Sequence, residues 1–197
     1  LLDINGREVR QQIWVSNRNG DVTYKDKKTG EDKNLPGFNQ INSLCMLVCS
    51  KEMGKMDVEE LTVKLYDFDA KKELPQAVDC FTELHGEKVQ VALQRQTVDK
   101  TALDQNTGKY EPTGETRDQN EIIKFFPEDK LVTISDVAEF IRGLGGNFDE
   151  VLEAGEIGKA IANMDESASN YAEKWLERNK GQTYDKSTGK GSSEGKA

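Results

Sequence analysis

The chain reads as a mainly β, α+β protein: an OB-like, partly open β-barrel with one intervening helix and a C-terminal helical segment. Three observations predict this. Strand-like runs rich in Val, Ile, Thr and aromatics fill most of residues 1–130, one apolar stripe of helical period interrupts them, and the composition turns acidic and helix-forming from Ile134. Five or so twisted strands around a helix suit a small barrel of that kind. An SH3-like barrel or an α+β sandwich fits the counts nearly as well. The expected organisation is a body at 1–130, an acidic helical segment at 131–180 packed on or extending it, and a flexible tail at 181–197.

The elements follow in order. A strand is expected at about 7–17, where Val9, Ile13, Trp14 and Val15 interleave with polar residues. Asn17-Arg18-Asn19-Gly20-Asp21 is turn chemistry, because Asn and Gly tolerate positive φ. A return strand at about 21–26 and a second turn at Lys27-Lys28-Thr29-Gly30-Glu31-Asp32 come next. Past Leu35-Pro36-Gly37, residues Phe38, Ile41, Leu44, Cys45, Val48 and Cys49 recur at three- and four-residue spacing, which predicts a buried helix at about 38–50. Residues 58–68 read as a strand, and 76–84 as either a short strand or a helical turn. Residues 88–98 alternate apolar and polar side chains as a half-buried strand does. A long tip at 104–109 leads to a return arm from Tyr110 to about Phe126, interrupted near Pro112-Thr113-Gly114. Three helices are expected afterwards. The first is capped by Ser135 and stopped by Gly143-Leu144-Gly145-Gly146; the others lie at about 148–163 and 165–178.

Charge and composition limit the function classes. The chain has 197 residues, with 27 Lys plus Arg against 36 Asp plus Glu, a net charge of −9. The acidity is concentrated: residues 134–177 hold three basic and ten acidic side chains. Residues 1–33 hold seven against six, residues 88–124 six against six, and residues 178–197 five against two. Both predicted hairpins are thus near neutral with local basic clusters, a distribution that permits polyanion binding without demanding it. Leu44-Cys45-Met46-Leu47-Val48-Cys49 is far shorter than the roughly 18–20 apolar residues of a membrane span. Three cysteines, an odd number, suit a reducing compartment, and a cytoplasmic location is expected (the host cytoplasm if the protein is viral). The first residue is Leu1 and not Met, so a trimmed or incomplete start is expected.

Catalytic signatures are weak. His85, the single histidine, sits in turn chemistry before Gly86 with no serine or cysteine motif around it, and no G-x-S-x-G, H-E-x-x-H or deaminase pattern occurs. The glycines at 143–146 follow a helix and precede no Lys-Ser/Thr pair, so they stop a helix and do not cradle phosphate. Cys45, Cys49, Cys80 and His85 could close a zinc site in principle. Cys45 and Cys49 instead occupy the apolar face of the predicted helix, where thiols serve as small hydrophobes. No cofactor and no enzymatic activity are expected.

Aromatic and basic side chains on the arms remain. Trp14, Tyr24, Tyr66 and Tyr110 on strand-like segments, with Lys25, Lys27, Lys28, Lys33, Arg95, Lys100, Lys109 and Arg117 nearby, suit a surface on which bases stack while cations meet phosphates. Trp14, Tyr24 and Tyr110 have polar or charged neighbours on both sides. Phe68, Phe125 and Phe126 are expected in the core. The same lysines, interspersed with Asp26, Glu31 and Asp32, also fit a plain solvated surface. The nucleic-acid reading requires the hairpins to converge on one face.

The phrases at 34–40 (Asn-Leu-Pro-Gly-Phe-Asn-Gln), 65–68 (Leu-Tyr-Asp-Phe), 96–101 (Gln-Thr-Val-Asp-Lys-Thr), 113–117 (Thr-Gly-Glu-Thr-Arg), 120–126 (Asn-Glu-Ile-Ile-Lys-Phe-Phe) and 174–181 resemble a group of tailed-bacteriophage single-stranded DNA-binding proteins. The resemblance spans roughly residues 3–185. It implies an OB-like fold that binds single-stranded DNA without sequence preference during phage replication or recombination, with replication or recombination proteins as partners. Many replication-type binders end in an acidic tail, whereas here the tail is mildly basic and the acidic block precedes it.

Two other readings stand beside that one. A β-barrel interaction module could use its acidic helices to dock a replication or structural partner, and the near-neutral hairpins favour it. A nuclease using scattered carboxylates comes third, because no spacing singles out a metal-binding set. Oligomeric state is not legible in the residues.

Overall fold

The computed structural model describes residues 2–4, 7–9, 11–67, 69–165, 170–180, 182–185 and 190–193. Phe68, expected in the core, lies outside the described residues. The chain is a mixed, strand-rich α and β protein whose described strands form four separate sheets that do not close into a barrel.

Strands β1 (Leu2–Ile4) and β2 (Arg7–Val9) pair antiparallel. The expected strand at 7–17 is therefore confined to Arg7–Val9, and residues 11–15 have no regular structure. Gln11 explains the difference. Its side-chain amide donates to the Ile122 carbonyl at 3.0 Å and accepts from the Ile122 N–H at 2.7 Å. One side chain thus does what a strand's backbone would have done at that point.

The turn after it is held by Asn17, whose side-chain oxygen accepts from the Asn19 and Asp21 N–H groups. Strand β3 (Thr23–Lys25) pairs with β4 (Asp32–Asn34), with the Lys27-Lys28 turn between them. Helix α1 (Pro36–Cys49) begins with proline at its first position, where no N–H is required, and ends at Ser50 in the left-handed region. Of the predicted stripe Cys45 is buried, while Phe38, Ile41, Leu44, Val48 and Cys49 are half-buried; Met46 and Leu47, outside the stripe, are buried as well.

Strands β5 (Val58–Asp67) and β6 (Lys72–Phe81) form a ten-pair antiparallel hairpin. A 3-10 turn at Thr82–Leu84 follows, so the ambiguous segment at 76–84 is strand first and helical turn second. Strands β7 (Val89–Asp104) and β8 (Lys109–Pro127) form the longest ribbon, with register shifts at Ala92/Leu93 and at Asp99/Thr101. The second shift faces the Pro112-Thr113-Gly114 interruption. Proline cannot donate to a ladder, which confines it to edges and irregular points.

The helical segment starts with α2 (Ile134–Gly143). Thr133 is its cap, and not Ser135: the Thr133 hydroxyl accepts from the Asp136 N–H while the Asp136 carboxylate accepts from the Thr133 N–H at 2.7 Å. The helix expected at 148–163 is two helices, α3 (Phe148–Glu153) and α4 (Ile157–Asn163). Gly155 separates them with a φ of 69°, a left-handed conformation that closes a helix rather than continuing it. Helix α5 (Asn170–Asn179) completes the set.

Strands β9 (Gln182–Asp185) and β10 (Lys190–Ser193) pair antiparallel, and β9 joins β7 in parallel at Arg95–Thr97. Over these residues the expected flexible tail is a hairpin. Its Gly, Ser and Lys content concealed a short Thr-Tyr strand meeting an open sheet edge.

The main core is helical. Met46 and Leu47 of α1 pack with Val132, Val137, Ile141, Leu152, Ile157, Ile161 and Met164. The acidic segment is therefore anchored on α1, and not on a barrel wall. A smaller cluster joins Ala92 and Phe126 of the long ribbon to Trp175 of α5. Lys130 ties the two regions together: its ammonium donates to the carbonyls of Ile161, Ala162 and Met164 at 2.7, 3.0 and 2.6 Å.

Candidate nucleic-acid interface

Trp14 is placed by two constraints on an otherwise irregular segment. Three residues before it, Gln11 clasps Ile122, and Gln40 of α1 donates to the same Ile122 carbonyl at 2.8 Å. Gly37 lies so close that a Cβ there would fall 2.1 Å from the Trp14 carbonyl oxygen. The indole is left 73% exposed on this anchored backbone. An exposed, positioned indole is what a stacking platform needs.

Tyr24 of β3 is 43% exposed, and Lys33 is its cross-strand neighbour. The lysines of this hairpin divide into two kinds. Lys25 pairs with Asp32 at 2.8 Å, and Lys33 pairs with Asp26. The Lys33 ammonium, then the Lys28 N–H, hold the Asp26 carboxyl below the usual carboxylate range. Lys27 and Lys28 at the turn form no ion pair with any described residue.

The long ribbon carries the rest of the expected set apart from Tyr66. Arg95 pairs with Asp118 at 2.7 Å, and Lys100 with Glu115 at 2.9 Å. The Thr97 hydroxyl, followed by Arg95, pulls the Asp118 carboxyl down. Lys109 at the tip and Arg117 on β8 form no ion pair with a described residue. Tyr110 is 72% exposed and sits opposite Leu103, itself 51% exposed, so an apolar pair lies bare near the tip. Tyr66 of β5 is 49% exposed and pairs across the strand with Glu73.

The structure distributes these residues over three sheets. Tyr24, Lys25 and Lys33 lie on β3–β4 with Lys27 and Lys28 at its turn, Tyr66 lies on β5–β6, and Arg95, Lys100, Lys109, Tyr110 and Arg117 lie on or at the end of β7–β8. The hairpin expected to join Trp14 to Tyr24 does not form. Trp14 is instead tied to α1 and β8, while Tyr24 belongs to the β3–β4 hairpin. Phe125 and Phe126 are buried, as expected of core residues.

Leu103 and the Gln11 and Gln40 clasp escape a reading of the residues alone. Leu103 was within reach, because closing the 104–109 tip places it opposite Tyr110. The clasp has no local signature, since a glutamine 111 positions away in sequence supplies the missing strand contact.

Burial, with a smaller contribution from Cys49, pushes the Cys45 thiol up to about 11, and burial also raises Cys49. Among the described residues no three His, Cys, Asp or Glu side chains gather as a metal site. Among them, too, no helix is long and apolar enough to cross a membrane. No family model matches the chain, nor does any curated protein or solved structure.

Proposed function

We propose that this protein binds single-stranded DNA without sequence preference, as a non-enzymatic protector of exposed strands in phage DNA replication or recombination. The observation that carries the reading is a set of bare aromatics, with an uncommitted cation beside one of them on the long ribbon. Trp14 and Tyr110 are nearly three-quarters exposed, and Lys109, next to Tyr110, has no ion partner among the described residues. Bases stack on such rings while phosphates meet such cations, and neither contact reads sequence. The resemblance of residues 3–185 to tailed-bacteriophage single-stranded DNA-binding proteins supports the same reading, and with it an OB-like relationship among the strands. A cytoplasmic setting with replication or recombination proteins as partners follows from that resemblance.

A second reading draws on a different observation. Arg95 and Lys100 are already matched by Asp118 and Glu115, and the α2–α4 surface is strongly acidic. An interaction module that docks a basic replication or structural protein on those helices would show this distribution.

Fluorescence anisotropy with labelled single- and double-stranded oligonucleotides of about thirty nucleotides, at two salt concentrations, separates the two. The expected result is tight, salt-sensitive binding to the single strand alone, with a slope of about 0.7 per phosphate contact. Absence of binding at low salt overturns the proposal and leaves the interaction module.

A further inference from the structure

Between α1, the β5–β6 hairpin and the β7–β8 ribbon lies a half-open cavity of about 820 Å³. Its walls are apolar, with Leu44 and Val48 from α1, Val63 and Val78 from β5–β6, and Ile122 and Phe125 from β8. Most of the apolar wall residues are only half-buried although they face the interior, while Ile122 and Phe125 are buried. In the helical core a few residues away, by contrast, Val137 and Ile157 are 0% exposed. Two packing regimes thus meet along α1.

We infer that this cavity is a binding site for a small, largely apolar molecule with at most one polar end. The volume falls within the range of roughly 300–1,000 Å³ usual for such sites. The wall chemistry narrows the class. Gln11 commits one N–H and one lone pair of its amide to the Ile122 backbone, so it has at most one donor and one acceptor left for the polar end of an occupant. Lys64, His85 and Glu87 are the charged or imidazole-bearing wall residues, all three exposed and so set at the solvent side, and the half-buried Cys80 adds a thiol. A sugar, a nucleotide or a peptide backbone buried here would leave polar atoms unmatched at a cost of a few kcal/mol each. An aliphatic chain or an aromatic ring loses nothing comparable and removes apolar wall from water. The site is independent of the nucleic-acid reading, because Trp14, Tyr24 and Tyr110 take no part in its walls.

The test uses the full chain and the neutral fluorophore aminoanthracene, which brightens in apolar surroundings. Saturable one-to-one binding is expected, weakened about tenfold or more by Val78→Phe, which fills the space from β6. The melting temperature of Val78→Phe is expected to hold or rise, since the added ring occupies a void. A second readout needs no variant. Cys80 lines the cavity as a free thiol, so saturating aminoanthracene should slow its alkylation by N-ethylmaleimide, followed by peptide mass spectrometry. Absence of saturable binding overturns the inference, as does binding that neither Val78→Phe weakens nor Cys80 protection accompanies.

Discussion

The helical block and the long ribbon are built on opposite terms. Around α1–α4, short amphipathic helices bury Val137, Ile157 and Cys45 completely, and side-chain caps at Thr133 and Asn147 satisfy the N-termini of α2 and α3. Along β7–β8 beyond Val98, side chains on both faces are almost all exposed as far as Asp118. A two-stranded ribbon without a covering layer is marginal in water. The most acidic stretch of the chain is therefore the best packed, and the near-neutral stretch is the one held out to solvent. Burial is concentrated in the first region, and the second leaves its side chains to solvent.

The comparison is broken most directly by attacking the packed side. Ile157→Ala empties a fully buried position in the helical core and should cost about 2–5 kcal/mol of unfolding free energy. Urea denaturation measures it. If stability falls by less than about 1 kcal/mol, the block is not the core that its burial implies. Oligonucleotide binding by the fraction that remains folded should be unchanged, because none of the candidate contact residues lies in the block.

Lys130→Met tests the joint between the two regions. It removes three charge-assisted hydrogen bonds to the end of α4, and a loss of about 1.5–3 kcal/mol is expected. Hydrogen exchange should show the change concentrated in α4 and the segment that follows it. A change confined to the ribbon would mean that Lys130 does not anchor the helices.

On the exposed side, Trp14→Ala and Tyr110→Ala should each cost about 1–3 kcal/mol of single-strand binding. Their melting temperatures should stay within a degree or two of the parent, since neither ring is packed. Unfolding would assign the rings to stability and remove them from the interface. A binding loss at Tyr110 alone would place the strand along the long ribbon and away from α1.

The division between legible and hidden features follows the same line. Helices α1 and α2 are legible because their apolar period is local: Ile41, Leu44, Cys45 and Val48 and the pair Val137, Ile141 recur at helical spacing, although on α1 the stripe is half-buried apart from Cys45. The long hairpin was readable for the same reason, from the alternation at 88–98 and the turn at 104–109. Which strands share a sheet was not readable, because pairing joins residues distant in sequence. The Gln11 clasp on Ile122 and the parallel contact of β9 with β7 are both of that kind. Each candidate residue is legible on its own, whereas their distribution over three sheets is a fact of topology that no local pattern carries.

Asp118→Asn gives the smallest effect and the sharpest one. In the parent, the Thr97 hydroxyl and then Arg95 keep the Asp118 carboxyl ionised below its ordinary range. A carboxylate depressed in this way contributes stability above its unfolded-state pKa and loses it as pH falls through the lower folded value. The pair is exposed, so solvent screening keeps that contribution small near neutral pH. The amide retains a partner for Thr97 and removes one negative charge beside Arg95, so the ribbon gains one unit of positive charge. If Arg95 then reaches a phosphate, single-strand affinity should rise about threefold and the salt slope steepen by about 0.7. An unchanged slope would show that the cation points away from the bound strand, leaving Lys109 and Arg117 as the ribbon's phosphate contacts. A weaker affinity would show instead that the Arg95–Asp118 pair shapes the ribbon, and that the acidic side chains along it hold the stacking surface open.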